Sequence, residues 1–264
     1  MPHIKINGCN YYYEDHGSGS EVIVLSHGLL WSSRMFYKQV DALKDKYRII
    51  TYDHRGQGQS EVTSAGYDMD QLYQDAVDLI EKLQLGKVHF GGLSMGGFVA
   101  MRMAARRPDL VKSLILMETS AQPEPNTFKY TLLNNIVRLL GVKSVTGPVM
   151  KIMFGKKFLT DPARSEERNE WKKILQSNKK TIVKAVEGVI SRKGVEHELA
   201  NINCPTLILV GDQDIATVPA KAEFIHSHIK DSKLIYIEGG GHTASIEEPE
   251  AYNDAIIDFL NGVS

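Results

Sequence analysis

An apolar strand-like run, Lys87 to Phe90, is followed closely by Gly92-Leu93-Ser94-Met95-Gly96 and then by a helix-like run, Phe98 to Arg107. No other feature of the chain narrows its fold as much. The pentapeptide alone is weak, because with Gly and Ser each near ~7% of residues chance supplies one in roughly a tenth of chains this long. Between a strand and a helix it means more. The abrupt turn forces the central serine into a strained backbone conformation, and glycines two residues to either side keep Cβ atoms out of the bend. The Ser94 hydroxyl then stands at the carboxyl end of a strand. Behind it lie a helix N-terminus and the Met95 N–H, where negative charge on an oxygen would be stabilised.

Two later strand-like runs also end in titratable residues. Thr206 to Val210 leads into Gly211-Asp212-Gln213-Asp214, and Leu234 to Ile237 leads into Glu238-Gly239-Gly240-Gly241-His242. The order Ser, Asp, His is that of α/β-hydrolases and differs from the orders of chymotrypsin and subtilisin. Four landmarks give the chain a resemblance to the α/β-hydrolase superfamily over essentially its whole length. They are His27-Gly28, Asp53-His54-Arg55-Gly56-Gln57-Gly58-Gln59-Ser60, the serine elbow and Gly241-His242. The resemblance implies an α/β fold with a mostly parallel sheet of about eight strands, flanked by helices. Phe90-Gly91-Gly92-Leu93-Ser94-Met95-Gly96-Gly97 and Gly241 through Ala251 are similar to the 3-oxoadipate enol-lactonase branch and to small carboxylesterases beside it.

A neutral serine hydroxyl is a poor nucleophile and needs a base, itself held in the right tautomer by a third group. His242, in a glycine-rich loop after a strand, is the expected base. Asp214 is the expected acid, because Gly-x-x-Asp followed shortly by Pro219 resembles the family's acid loop; Asp212 is expected to brace that loop. Glu118, at the end of the sixth strand, is a reserve, since some family members supply the acid from there. For the oxyanion the expected donors are the backbone N–H groups of Met95 and, by resemblance to families that use the residue after this His-Gly turn, Leu29. His27 and the segment from Asp53 to Ser60 are read as structural.

The alternation of strand and helix implies a parallel sheet covered on both faces. Residues up to Tyr13 read as two edge strands. Val22 to Ser26 is a buried run, Arg34 to Leu43 has helical spacing with Met35, Phe36, Val40 and Leu43 inward, and Ile49 to Tyr52 is the next strand. Asp70 to Leu83 is an amphipathic helix through Leu72, Ala76, Leu79, Ile80 and Leu83. Leu114 to Met117 continues the pattern, which breaks at Ser120. From there the chain is helix-like in pieces, Phe128 to Leu140, Val145 to Phe154, Ser165 to Lys173 and Thr181 to Ser191, and contains no strand-like run. This predicts a helical cap, residues 120–198, inserted after the sixth strand into a core made of residues 1–119 and 199–264. Strand and helix resume with Thr206 to Val210, Pro219 to His228, Lys233 to Ile237 and Pro249 to Leu260, and both ends of the chain look ordered.

Composition narrows the function further. At 264 residues and 42% hydrophobic, one domain with an insertion is the economical reading. A net charge of -1 argues against a general nucleic-acid binder, but the charge is uneven: residues 122–195 hold 15 basic and 6 acidic side chains, the remainder 16 and 26. A basic cap above an acidic body would steer anions. The stronger reading is that Lys172-Lys173, Lys179-Lys180 and Arg192-Lys193 form a solvated helix face. The first seven residues show no basic segment leading into an apolar one, and no apolar run reaches membrane-spanning length, so a cytoplasmic protein without stable membrane association is expected. The two cysteines, Cys9 and Cys204, are too sparse for a disulfide scaffold, and Cys204, opening a core strand, reads as a buried small hydrophobe. Metal-ligand spacings and a dinucleotide fingerprint are missing, so no metal or cofactor is expected.

These features predict hydrolysis of a small carboxylic ester or lactone through an acyl-enzyme. Ser94 rules out the dehalogenase and epoxide-hydrolase branches, which place Asp there. Carbon–carbon bond hydrolysis or cofactor-free perhydrolysis on the same residues, and a ligand-binding receptor of this fold, are the alternatives. For the substrate pocket the candidates are the Leu29 side chain, Leu30, Trp31, Met95 and Val218 around the nucleophile, with Phe128, Met150, Met153, Phe154 and Trp171 on the apolar underside of the cap. Oligomeric state is left open.

Overall fold

A computed structural model describes residues 2–263; Met1, the first residue of the N-terminal run considered above, and Ser264 lie outside the described residues. The strands are β1 (His3–Ile6), β2 (Cys9–His16), β3 (Val22–Ser26), β4 (Arg48–Tyr52), β5 (Val88–Leu93), β6 (Val111–Met117), β7 (Thr206–Gly211) and β8 (Ser232–Ile237). They form one eight-stranded sheet in the order β1-β2-β4-β3-β5-β6-β7-β8. From β4 to β8 every neighbouring pair is parallel, whereas β2 is antiparallel to both β1 and β4. The first two strands are therefore not both edges. Residues Tyr13 to His16 extend β2 past the expected stop and pair it with β4, leaving β1 alone at that side.

The near-continuous apolar runs of β3 and β7 are buried at every position, as strands covered on both faces must be. Helices α1 (Tyr37–Leu43), preceded by a 3₁₀ turn at Ser33–Phe36, and α11 (Pro249–Val263) cover one face. Helices α2 (Met69–Lys82), α3 (Met95–Arg106) and α9 (Pro219–His228) cover the other. Helix α2 starts where Asp68 caps the Gln71 N–H, at 2.9 Å, and buries Leu72, Ala76, Leu79 and Ile80. The Arg55 guanidinium, in the segment after β4, pairs with buried Asp75 of α2 at 2.8 Å and fixes that segment against the helix.

Between β6 and β7 the described chain is helical: α4 (Thr127–Leu140), α5 (Thr146–Met153), α6 (Lys156–Thr160), α7 (Ser165–Ser177) and α8 (Val183–Ile190), joined by short 3₁₀ turns. Helix α6 went unread in the sequence because its five residues are too short for a periodicity to show. A last short helix, α10 (Ala244–Glu247), follows the β8 loop. Cys9 is buried, but Cys204 is only partly so, because it lies in the loop before β7 and not in the strand.

Candidate active site

The sheet order sets the site. Strands β3, β5, β6, β7 and β8 are adjacent and parallel, so the segments after them open at one edge of the sheet. These segments carry Leu29, Ser94, Glu118, Asp214 and His242 respectively. A crevice at the carboxyl ends of parallel strands is where open α/β sheets bind ligands.

Ser94 sits between β5 and α3 at φ 53°, ψ -109°, a left-handed conformation that a side chain rarely adopts. Its glycines are required by contact. A Cβ on Gly92 would lie 2.2 Å from the Gly96 carbonyl oxygen, and one on Gly96 would lie 2.0 Å from that of Ser26. The turn is held by hydrogen bonds from the Ser94 N–H to Met117 O, 2.8 Å, and from Thr119 Oγ1 to Ser94 O, 2.9 Å.

The serine hydroxyl Oγ lies 2.9 Å from His242 Nε2, and His242 Nδ1 lies 2.9 Å from Asp214 Oδ2. Because a carboxylate only accepts, Nδ1 carries the proton and Nε2 is free to accept from the serine. Asp214 is fully engaged. Its Oδ1 accepts from the Ala216 and Thr217 N–H groups at 2.7 and 3.0 Å, and Thr217 Oγ1 donates to Oδ2 at 2.8 Å. Both Asp214 and His242 are buried. Asp212 instead accepts from the Gly239 N–H, 2.8 Å, bracing the β7 loop against the β8 loop.

Glu118 is wholly buried and receives the Tyr252 hydroxyl at 2.9 Å; none of its hydrogen bonds reaches His242. Burial, reinforced by the negative charge of Asp214, drives its carboxyl well above the usual range, a shift that favours the protonated form.

Neither the Leu29 nor the Met95 N–H has a hydrogen-bond acceptor among the described residues. The turn carrying Leu29 is tightly specified. His27 Nδ1 donates to Gly28 O at 2.7 Å and its Nε2 accepts the His54 N–H at 2.9 Å, a neutral ring favoured by burial, which lowers its proton affinity. Leu30, at φ 74°, donates its N–H to Gln57 Oε1 at 2.9 Å, while Gln57 Nε2 lies 3.8 Å from Met95 Sδ. Gln57 thus touches both segments that present free N–H groups. Sequence reasoning left it as a fold landmark, and only its polar type amid glycines hinted at more.

A cavity of about 100 Å³ opens onto Ser94 and His242. Leu29, Trp31 and Met153, all three pocket candidates from the sequence, line it together with Phe98, Val186 and Ile190. Leu30 lines neighbouring cavities instead. Besides Leu30, six expected pocket residues, Met95, Phe128, Val218, Trp171, Phe154 and Met150, do not line this cavity. Phe128 is 84% exposed on the outer face of α4, and Val218, 41% exposed, is absent from the wall of the cavity that holds Ser94. Trp171 packs edge-on against Trp31, with ring centres 5.5 Å apart, so it supports the wall from behind. Phe154 does likewise, edge-on to Trp31 at 5.9 Å and stacked on Phe158 at 4.8 Å, and Met150 is buried in the same apolar cluster.

Arg192 was expected on a solvated face but is buried in the cavity wall. Its guanidinium pairs with Glu124 at 3.0 Å, donates to Gln122 O and Val189 O, and stacks over Phe98 at 4.3 Å. The partner lies 68 residues away, beyond any local charge pattern.

A parallel-centred sheet with a Gly-x-Ser-x-Gly turn after one strand and a hydrogen-bonded Asp–His pair after two later ones is the arrangement of the α/β-hydrolase fold. The family model of the α/β-hydrolase fold matches residues 21–249, and the chain belongs to that family. It is 28% identical, over 89% of its length and 86% of the other, to 3-oxoadipate enol-lactonase 2 of Acinetobacter baylyi. With a protein of Agrobacterium fabrum named for carbamate hydrolysis (RutD) it shares 25% identity over 94% of this chain and 97% of that one. A solved thermophilic esterase from Thermogutta terrifontis superposes with a TM-score of 0.92 at 28% identity, covering 100% of this chain and 99% of the other. No helix of the described residues is long and apolar enough to cross a membrane.

Proposed function

We propose that this hydrolase cleaves carboxylic esters or lactones through an acyl-enzyme, with Ser94 as nucleophile, His242 as general base and acid, and Asp214 as the group that orients the histidine. The observation that carries the reading is the unbroken chain from Ser94 Oγ through His242 to Asp214, both links 2.9 Å, beside two N–H groups without acceptors. As Ser94 Oγ attacks the carbonyl carbon, its proton moves to His242 Nε2, and the negative charge that forms on the carbonyl oxygen is met by the Leu29 and Met95 N–H groups. The imidazolium is stabilised by Asp214. It then gives its proton to the leaving alkoxide, which departs as the alcohol, or as the tethered hydroxyl of an opened lactone. Water, deprotonated by the same Nε2, attacks the acyl-enzyme and releases the carboxylic acid with Ser94 restored.

The segment of residues 120–198 acts in this reading as a lid whose underside, through Met153 and Val186, closes the cavity. The free donors favour acyl transfer over a receptor role, because an oxyanion site has no use in passive binding. Carbamates, the substrates named for one relative, present the same carbonyl to the same groups. The test is turnover of a panel of p-nitrophenyl esters, lactones and carbamates, with fluorophosphonate labelling of Ser94. Many cycles per active site on an ester or lactone support the reading; labelling elsewhere, or no turnover of any of the three classes, would remove it.

A further inference from the structure

Behind the cavity that holds Ser94 lies a second of similar size, about 100 Å³, between the cap helices and the Leu29–Leu30 turn. The two share five wall residues, Leu29, Tyr130, Ile152, Met153 and Val186, so only side chains separate them. The first cavity carries the reactive groups and the Arg192–Glu124 pair. The wall of the second, apart from that shared partition, is almost entirely branched aliphatic: Val137, Val142, Val145, Val149 and Ile182. Its one amide, Asn134, spends Nδ2 on Val183 O at 3.0 Å and leaves Oδ1 buried without a donor.

Protein interiors are close-packed, and a void between packed helices forfeits the contacts its lining would otherwise make. This one abuts the nucleophile's cavity through a partition that includes Met153, an unbranched thioether side chain able to swing between rotamers. We infer that the second cavity is the distal acyl subsite, and that the substrate is an ester or lactone of a neutral, medium-length, unbranched aliphatic acid whose chain passes Met153 and ends among the valines of the cap. This rests on the hydrolase reading of Ser94 and adds the substrate class. A terminal carboxylate is excluded on two counts. The guanidinium in the first cavity is already neutralised by Glu124, and the second is walled by aliphatic side chains beside the buried Asn134 Oδ1, an acceptor that would repel an anion.

The experiment is kcat/KM for p-nitrophenyl acetate, butyrate, hexanoate, octanoate and decanoate with the intact protein, Val149→Phe and Leu133→Ala. Val149 and Leu133 line the second cavity and not the first. In the unmodified protein kcat/KM should keep rising beyond butyrate by up to roughly fourfold per methylene, the value of burying one CH₂. Val149→Phe, which fills the subsite, should lower the octanoate-to-acetate ratio at least tenfold, and Leu133→Ala, which enlarges it, should raise that ratio toward decanoate. Should Val149→Phe not fold, the unmodified series and Leu133→Ala still decide. A fall in kcat/KM from butyrate onward, or a ratio unchanged in folded variants, would overturn the subsite. Loss of turnover on every ester with no label on Ser94 would overturn the hydrolase reading and the subsite with it, whereas ordinary acetate turnover with a flat chain-length profile would overturn the subsite alone.

Discussion

The Glu247 carboxylate accepts the Gly155 N–H at 2.7 Å, joining the loop that carries His242 to the cap. Its other oxygen accepts the Gly241 N–H and Thr243 Oγ1, at 3.1 and 3.0 Å, on the two residues that flank His242. Thr243 Oγ1 also lies 3.0 Å from Met153 O, so its one proton is shared between that carbonyl and Glu247. One buried carboxyl therefore ties the loop that carries His242 to Met153, which walls the cavity at Ser94.

Burial outweighs these hydrogen bonds and raises the Glu247 carboxyl from 4.5 to about 7. Between those values the folded protein holds a proton that the unfolded chain has released, so this group's contribution to stability falls as pH rises through that window. The full effect is roughly 3 kcal/mol. Glu247→Gln does not titrate. Thermal melts from pH 5 to 8 should show the wild-type midpoint falling relative to that of Glu247→Gln as pH rises; parallel curves would mean that Glu247 does not titrate in the window.

Asp214→Asn should lower ester turnover by roughly 10³–10⁴, because an amide can donate toward His242 and favour the wrong tautomer. Asp212→Asn should cost far less, since its single hydrogen bond braces a loop. Glu118→Gln should leave turnover within a few-fold, because its hydrogen bond goes to Tyr252 and not to His242. Steady-state rates of the three variants on one ester decide among them. A large loss confined to Glu118→Gln would move the acid to the end of β6.

Gln57→Leu removes the acceptor of the Leu30 N–H and the contact to Met95. Leaving that N–H unpaired costs about 1–3 kcal/mol. Because the side chain steadies both segments whose N–H groups the proposed function assigns to the oxyanion, and lies outside the wall of the Ser94 cavity, kcat should drop while KM changes little. A rise in KM at unchanged kcat would instead make Gln57 a substrate contact.

The strands, the elbow and the order Ser94, Asp214, His242 were legible because each is written locally, as an apolar run ending in a polar or glycine-rich turn. The cap was legible as helices but not as a surface. In α4 the apolar residues Phe128, Leu132 and Leu139 fall on one side yet face outward, and Tyr130, Leu133 and Val137 line the second cavity. Both faces are apolar, so periodicity could not say which one is buried. Neighbours across the sheet are equally invisible in one strand's pattern, which is why β2 read as an edge.

Trp171→Ala and Phe128→Ser separate packing from specificity in that cap. Trp171 is buried against Trp31 and should cost about 3–5 kcal/mol on truncation with the order of chain-length preference kept. Phe128 is exposed and should change stability by no more than ~0.5 kcal/mol. Urea melts and ester profiles measure both. Altered chain preference in Phe128→Ser would return that residue to the substrate path.

Glu124→Gln bears on substrate charge. In the native protein the Arg192 cation is cancelled by Glu124 and held by two backbone carbonyls, so the cavity offers an incoming acyl group no net charge. Removing the carboxylate leaves a buried guanidinium beside the nucleophile's cavity. Breaking a buried pair costs about 3–5 kcal/mol, and the low end applies here because both carbonyl acceptors remain. The freed cation should attract a carboxylate in compensation. The kcat/KM ratio of a mono-p-nitrophenyl dicarboxylate to its neutral analogue should therefore rise roughly tenfold in Glu124→Gln, a change of about 1.4 kcal/mol, and raised salt should diminish the gain. Arg192→Leu, with Glu124 left unpaired, should move the ratio the other way. If both variants keep the wild-type ratio, the ion pair only fastens the cap, and the preference for neutral acyl chains rests on the apolar wall by itself.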